Sequence, residues 1–128
     1  TPLWTTRAKS KVVTPVASPD DKHIFFCNGG RVRCVSVADG NILWTAKDRV
    51  GGDSEGTMVH TGDGKLIVWG GNTLALMEAK GGGYRMLAQK KNVLDEARFS
   101  YPHVSVGEGY ILCKVKNGRV ACLAVEKR

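Results

Sequence analysis

Long apolar runs are what this 128-residue sequence lacks first. No stretch approaches the ~18 consecutive apolar residues of a membrane helix, so no membrane span is expected. No basic cluster leads into an apolar run at the start, so no secretory signal is written there. The chain begins at Thr1 rather than Met, which leaves room for a removed leader or a longer upstream region. Aromatic residues make up only 7%, and none interleave with basic ones as a single-strand nucleic-acid groove requires. The net charge of +7 therefore reads as solvated surface, with Arg7, Lys9 and Lys11 alternating along one face of an extended edge, and nucleic acid is not expected as a partner.

Chemistry-bearing motifs are equally scarce. His23, His60 and His103 stand alone, and the four cysteines lack the short spacings of zinc knuckles, so no metal is expected. Gly62-Asp63-Gly64 and Gly81-Gly82-Gly83 are rich in glycine but no helix follows to face a phosphate. Ser100 and Ser105 flank His103 without the elbow turn of a catalytic nucleophile. No catalytic residue is assigned.

What is present is a repeat. Pro2-Leu3-Trp4-Thr5 recurs forty residues on as Ile42-Leu43-Trp44-Thr45, and Arg85-Met86-Leu87-Ala88 takes the corresponding place one period later without its Trp. Between markers the order repeats as connector, β-rich run, turn, run, turn, run. The first full period runs Val12–Ala17, His23–Cys27, Val32–Val37 and Asn41–Thr45; the second Thr57–His60, Lys65–Trp69, Thr73–Glu78 and Tyr84–Ala88. The third has Tyr101–Val106, Tyr110–Val115 and Arg119–Val125, with no fourth run, while Leu3–Thr6 reads as an outer strand with no inner three. Regular short strands separated by turn residues indicate an all-β chain of about three four-stranded antiparallel blades of a β-propeller, too few to close a ring. The expected divisions are residues 1–11 (outer strand and connector), 12–47, 48–92 and 93–128.

The stretch from Cys34 to Trp44 resembles the docking motif of pyrroloquinoline-quinone-like propeller repeats, which run Ala-x-Asp-x-x-x-Gly-x-x-x-Trp. Gly40 and Trp44 match; Cys34 and Ser36 depart. Gly62–Val125 also resembles the C-terminal part of bacterial propeller proteins similar to the lipoprotein of the outer-membrane assembly machine. The resemblance implies that Trp44, and Trp4 in the matching marker, dock on a neighbouring blade while Gly40 turns the hairpin. It implies a periplasmic or cell-envelope setting. Quinone-dependent dehydrogenases of the family use adjacent cysteines and an acidic calcium site; no two cysteines are adjacent here, and Asp53, Glu55, Asp95 and Glu96 read as connector residues. No cofactor is expected.

The leading functional expectation is a non-catalytic scaffold that binds protein. A fragment of a quinone-dependent dehydrogenase, and carbohydrate or polyanion binding on a basic face, are the alternatives. Candidate binding residues on the rim are Asp53, Glu55, Arg98, Arg31 and Arg119. The open ring implies apolar end faces, to be covered by the remaining blades of a longer chain or by a second copy completing the ring. For the cysteines, a two-residue Asn117-Gly118 turn would set Cys113 opposite Cys122, whereas Cys34 falls opposite Phe25 and Cys27 opposite Val32. Buried thiols are expected in preference to disulfides, since a bridge straight across a hairpin is strained.

Overall fold

The computed structural model describes residues 1–7, 14–50, 56–95 and 101–126. Among them there is no helix, and the strands form three antiparallel sheets in chain order. The first holds β1 (Val16–Ala17), β2 (His23–Asn28), β3 (Arg31–Ser36) and β4 (Ile42–Thr45). The second holds β5 (Thr57–His60), β6 (Lys65–Gly70), β7 (Thr73–Lys80) and β8 (Gly83–Lys91). The third holds only β9 (His103–Gly107), β10 (Tyr110–Lys114) and β11 (Val120–Ala124). Each strand pairs with its sequence neighbour, as short hairpin loops dictate.

Loop length sets the register. The two-residue turns Gly29-Gly30 and Gly71-Asn72 pair Asn28 with Arg31 and Gly70 with Thr73, which puts Phe25 opposite Cys34 and Cys27 opposite Val32 as expected. The β10–β11 hairpin differs. Its loop takes in Lys116 as well, closed by Val115 N–H to Arg119 O at 3.2 Å and Gly118 N–H to Val115 O at 3.1 Å. Gly118 sits at φ 85°, where any side chain would be strained. The extra residue slips the register by one: Cys113 faces Ala121, and Cys122 faces Leu112. The expected Cys113–Cys122 pairing is thus corrected; Cys113 is buried, Cys122 is exposed, and none of the four cysteines is in a disulfide.

Two bulges restore the period. Cys34 pairs with Trp44 and Val35 with Ile42, leaving Leu43 as the extra residue; Leu76 pairs with Ala88 and Met77 with Met86, leaving Leu87. The repeat phase is therefore one residue later than the sequence alignment placed it, and Ala88 holds the place of Trp44. The outer strand expected at Leu3–Thr6 is also corrected, since the described residues 1–7 contain no strand. The Trp4 indole ties this segment to the β3–β4 hairpin. Of the expected Val12–Ala17 strand, Val12 and Val13 lie outside the described residues, and Val16–Ala17 pairs with β2.

The sheets pack face to face. One apolar cluster joins Phe25, Cys27, Val32 and Cys34 of the first sheet to Met58, Leu66, Val68 and Met77 of the second. Another joins Trp69 and Leu74 of the second to Val104, Ile111, Cys113 and Leu123 of the third. The middle sheet is covered on both faces, which is why Leu66-Ile67-Val68-Trp69 runs apolar without alternation. The first strands come together, with β5 beside both β1 and β9. No helix among the described residues is long and apolar enough to cross a membrane.

Candidate functional site

Each tryptophan donates its indole N–H to a backbone carbonyl of the sheet that follows it. Trp4 Nε1 donates to Val37 O at 2.7 Å, Trp44 Nε1 to Lys80 O at 2.6 Å, and Trp69 Nε1 to Lys114 O at 3.1 Å. The first two use corresponding hairpins, β3–β4 and β7–β8. Gly40 at φ 72° lets the Trp4 ring lie on the first; a Cβ there would stand 2.6 Å from Trp4 Cδ2. Trp44 packs between Phe25 and Tyr84, with ring centroids at 6.0 and 5.3 Å. Tyr84 Oη accepts from Lys47 N–H at 2.8 Å and donates to Asp48 Oδ2 at 2.7 Å, tying the connector after β4 to the second sheet.

The third joint is built differently because Ala88 stands where the Trp would be. An apolar cleft of about 260 Å³ opens there, lined by Ile67, Leu74, Leu76, Ala88, Ile111 and Val125. Trp69, buried on the inner face of β6, supplies the indole bond instead. Sequence reading missed that role, for a buried Trp within an apolar strand carries no mark that separates an anchor from ordinary core.

Of the rim residues, Asp53, Glu55 and Arg98 lie outside the described residues. Arg31 Nη1 donates to Ala46 O at 3.4 Å, and Arg119 Nη1 donates to Asp95 O. Arg31 stands in β3 and Arg119 in the β10–β11 hairpin, so the structure places each on a connector carbonyl and does not bring them into one cluster. Connectors are held elsewhere too, by Val50 N–H to Gly30 O at 2.8 Å and by paired Asn72–Leu94 bonds at 2.7 and 2.8 Å.

Between the first two sheets a cleft of about 340 Å³ is lined by Ser18, Asp20, His23, Phe25, His60 and Gly81 among others. Ser18 Oγ donates to Asp20 Oδ1, and with the Lys22 backbone N–H at 3.1 Å this holds the Asp20 carboxyl below the usual range. His23 Nδ1 lies 3.6 Å from the same oxygen. The serine proton is committed to the carboxylate, so the trio closes the β1–β2 turn and offers no nucleophile. His60 stacks on Phe25 with centroids 5.7 Å apart, its Nδ1 buried and without a hydrogen-bond partner among the described residues. Among the described residues no three His, Cys, Asp or Glu gather to hold a metal.

The third sheet presents an uncovered apolar face. Ile111 and Cys113 pack on Trp69, but the alternate residues of β10 and β11 face outward, with Tyr110 55%, Leu112 42% and Val120 55% exposed. Among the described residues no strand pairs with the far edge of β11. Arg119 O accepts from Val115 and Val125 N–H donates to Gly109 O, so the odd-numbered residues of β11 bond to β10. By alternation the backbone groups of Val120, Cys122 and Ala124 face the open edge. A scan against family models finds no match for the chain, and a search of the curated proteins finds none.

Proposed function

We propose that the chain is a non-catalytic binding module, a run of blades of a pyrroloquinoline-quinone-like β-propeller, that meets protein through its third sheet. Sequential antiparallel sheets of four, four and three strands stacked face to face, with β1, β5 and β9 side by side, support the propeller reading. So do the indole bonds from Trp4 to the first sheet's hairpin, from Trp44 of the first sheet to the second, and from Trp69 of the second to the third. The observation that carries the binding reading is β10. Tyr110-Ile111-Leu112-Cys113 is apolar on both faces like the buried run of β6, yet one face is bare. Contiguous apolar surface beside an unpaired edge is where protein docks.

A photo-crosslinking residue at position 112, in cells expressing the chain, tests it. Protein adducts at 112 and none at the exposed turn position 62 are expected; no adduct at 112 overturns the reading. Titration with pyrroloquinoline quinone and calcium separates it from the dehydrogenase alternative. The quinone spectrum is expected to stay unchanged, and a saturable change means a cofactor site.

A further inference from the structure

We infer that the occupant of the open third sheet is the amino-terminal segment of a second copy of this chain, residues 1–7, added alongside β11 as a fourth strand. The inference rests on the protein-binding reading above and names the partner.

The cross-strand rows supply the register. In the first sheet Phe25 lies opposite Cys34 and Cys34 opposite Trp44; in the second Ile67 lies opposite Leu76 and Leu76 opposite Ala88. In the third Leu112 lies opposite Cys122, and no described residue takes the next place in the row. The marker Pro2-Leu3-Trp4-Thr5 matches Ile42-Leu43-Trp44-Thr45, the whole of β4, so Trp4 fits that place and Leu3 the bulge. Trp4 would then lie over Leu112 as Trp44 lies beside Phe25, covering the bare apolar face. Leu3, 95% exposed, has the solvent position of a bulge residue, as Leu43 does.

Trp4 is already seated as a fourth-strand tryptophan. It holds Val37 O and lies on Gly40 of the β3–β4 hairpin, the counterpart of Trp44 from β4 holding Lys80 O at the β7–β8 hairpin. The described residues 1–7 form no strand, and the third sheet has three described strands where the first and second have four. The third sheet packs on the second and the second on the first, which carries Trp4, so the inferred pairing is one between copies. The contact is head-to-tail, and reciprocal exchange between two copies closes six sheets into a ring.

Light scattering at about 100 µM, a concentration that populates a micromolar interface, reads the outcome. The wild-type chain is expected at twice the 13.8 kDa of one copy. Trp4→Ala, which lacks the inserted indole, and Ala124→Pro, which removes a donor from the open edge without touching the β10 ladder, are each expected as monomers. Mixed together they are expected to recover a two-chain species, because one supplies an intact tail and the other an intact edge.

A monomeric wild type, or variants that pair as the wild type does, overturns the inference. Should Ala124→Pro fail to fold, hydrogen exchange on the wild type decides: the Val120, Cys122 and Ala124 amides are expected to slow about ten-fold or more on association, and unprotected amides overturn it. Adducts from position 112 to a different protein, with the chain monomeric, sink the second copy and leave the protein-binding reading standing. Absence of any adduct sinks both.

Discussion

Restoring the missing tryptophan at position 88 should stabilise the protein. Ala88 occupies the row position of Trp44 and lines the apolar cleft of about 260 Å³ between the second and third sheets. Trp44 is only half-buried in its own joint, so of the roughly 150–250 Å² a tryptophan can bury about 100 Å² is counted. At ~25 cal/mol per Å² that contributes about 2.5 kcal/mol. Ordering the side chain costs about 1 kcal/mol. The net gain in Ala88→Trp is then about 1.5 kcal/mol, a rise of roughly 5 °C in Tm for a chain of this size. Thermal unfolding followed by circular dichroism measures it, with a blue-shifted tryptophan emission as the sign that the ring has entered the cleft. An unchanged or lowered Tm would refute the argument, for it would mean that the cleft is not a vacated anchor site and that the added ring overpacks it.

Gly40→Ala tests the joint between residues 1–7 and the first sheet: positive φ and the overlap with the Trp4 ring together should cost about 2–3 kcal/mol and red-shift the emission, and a urea midpoint equal to wild type would count against the contact. Thiol titration of the native chain should find one fast cysteine, Cys122, and three that react only on unfolding; more than one fast thiol contradicts the packing. Burial pushes Cys27 up to about 12 and Cys34 and Cys113 up to about 11, from an ordinary 9.0. Their raised values mean the folded chain keeps protons that the unfolded chain releases, so this stabilisation is complete below about pH 9 and is lost as pH rises through 11–12. The urea midpoint should fall across that window, and a Cys27→Ala, Cys34→Ala, Cys113→Ala chain should show a shallower fall; equal slopes would refute the assignment.

Strand existence was legible wherever turn chemistry was unambiguous. Thr57–His60 stands where it was expected, and Gly29-Gly30 fixed the pairing of Phe25 with Cys34. The β10–β11 register was not legible, because Asn117-Gly118 suits both a two-residue loop and the three-residue loop the chain adopts. Only the ladder distinguishes them, and with side chains alternating every residue a slip of one moves Cys122 from beside Cys113 to the open face. The bulges at Leu43 and Leu87 escaped for a related reason. A bulge residue looks like any other until its partner strand is known, and skipping it shifts the repeat by one.

The open third sheet was legible in a different sense. A strand's pattern reports how many of its faces are to be covered, while the chain in hand decides how many are. Leu66-Ile67-Val68-Trp69 and Tyr110-Ile111-Leu112-Cys113 carry the same uninterrupted apolar pattern, and the first is buried on both sides by sheets of the same chain. Nothing local to β10 explains the exposure of Tyr110 and Leu112, since its turns, its register with β9 and its inner face are all satisfied. The difference lies in what stands next to it. A strand adapted to one solvated face would alternate with polar residues there. That β10 does not alternate is the reason for assigning its outer face to a partner rather than to water.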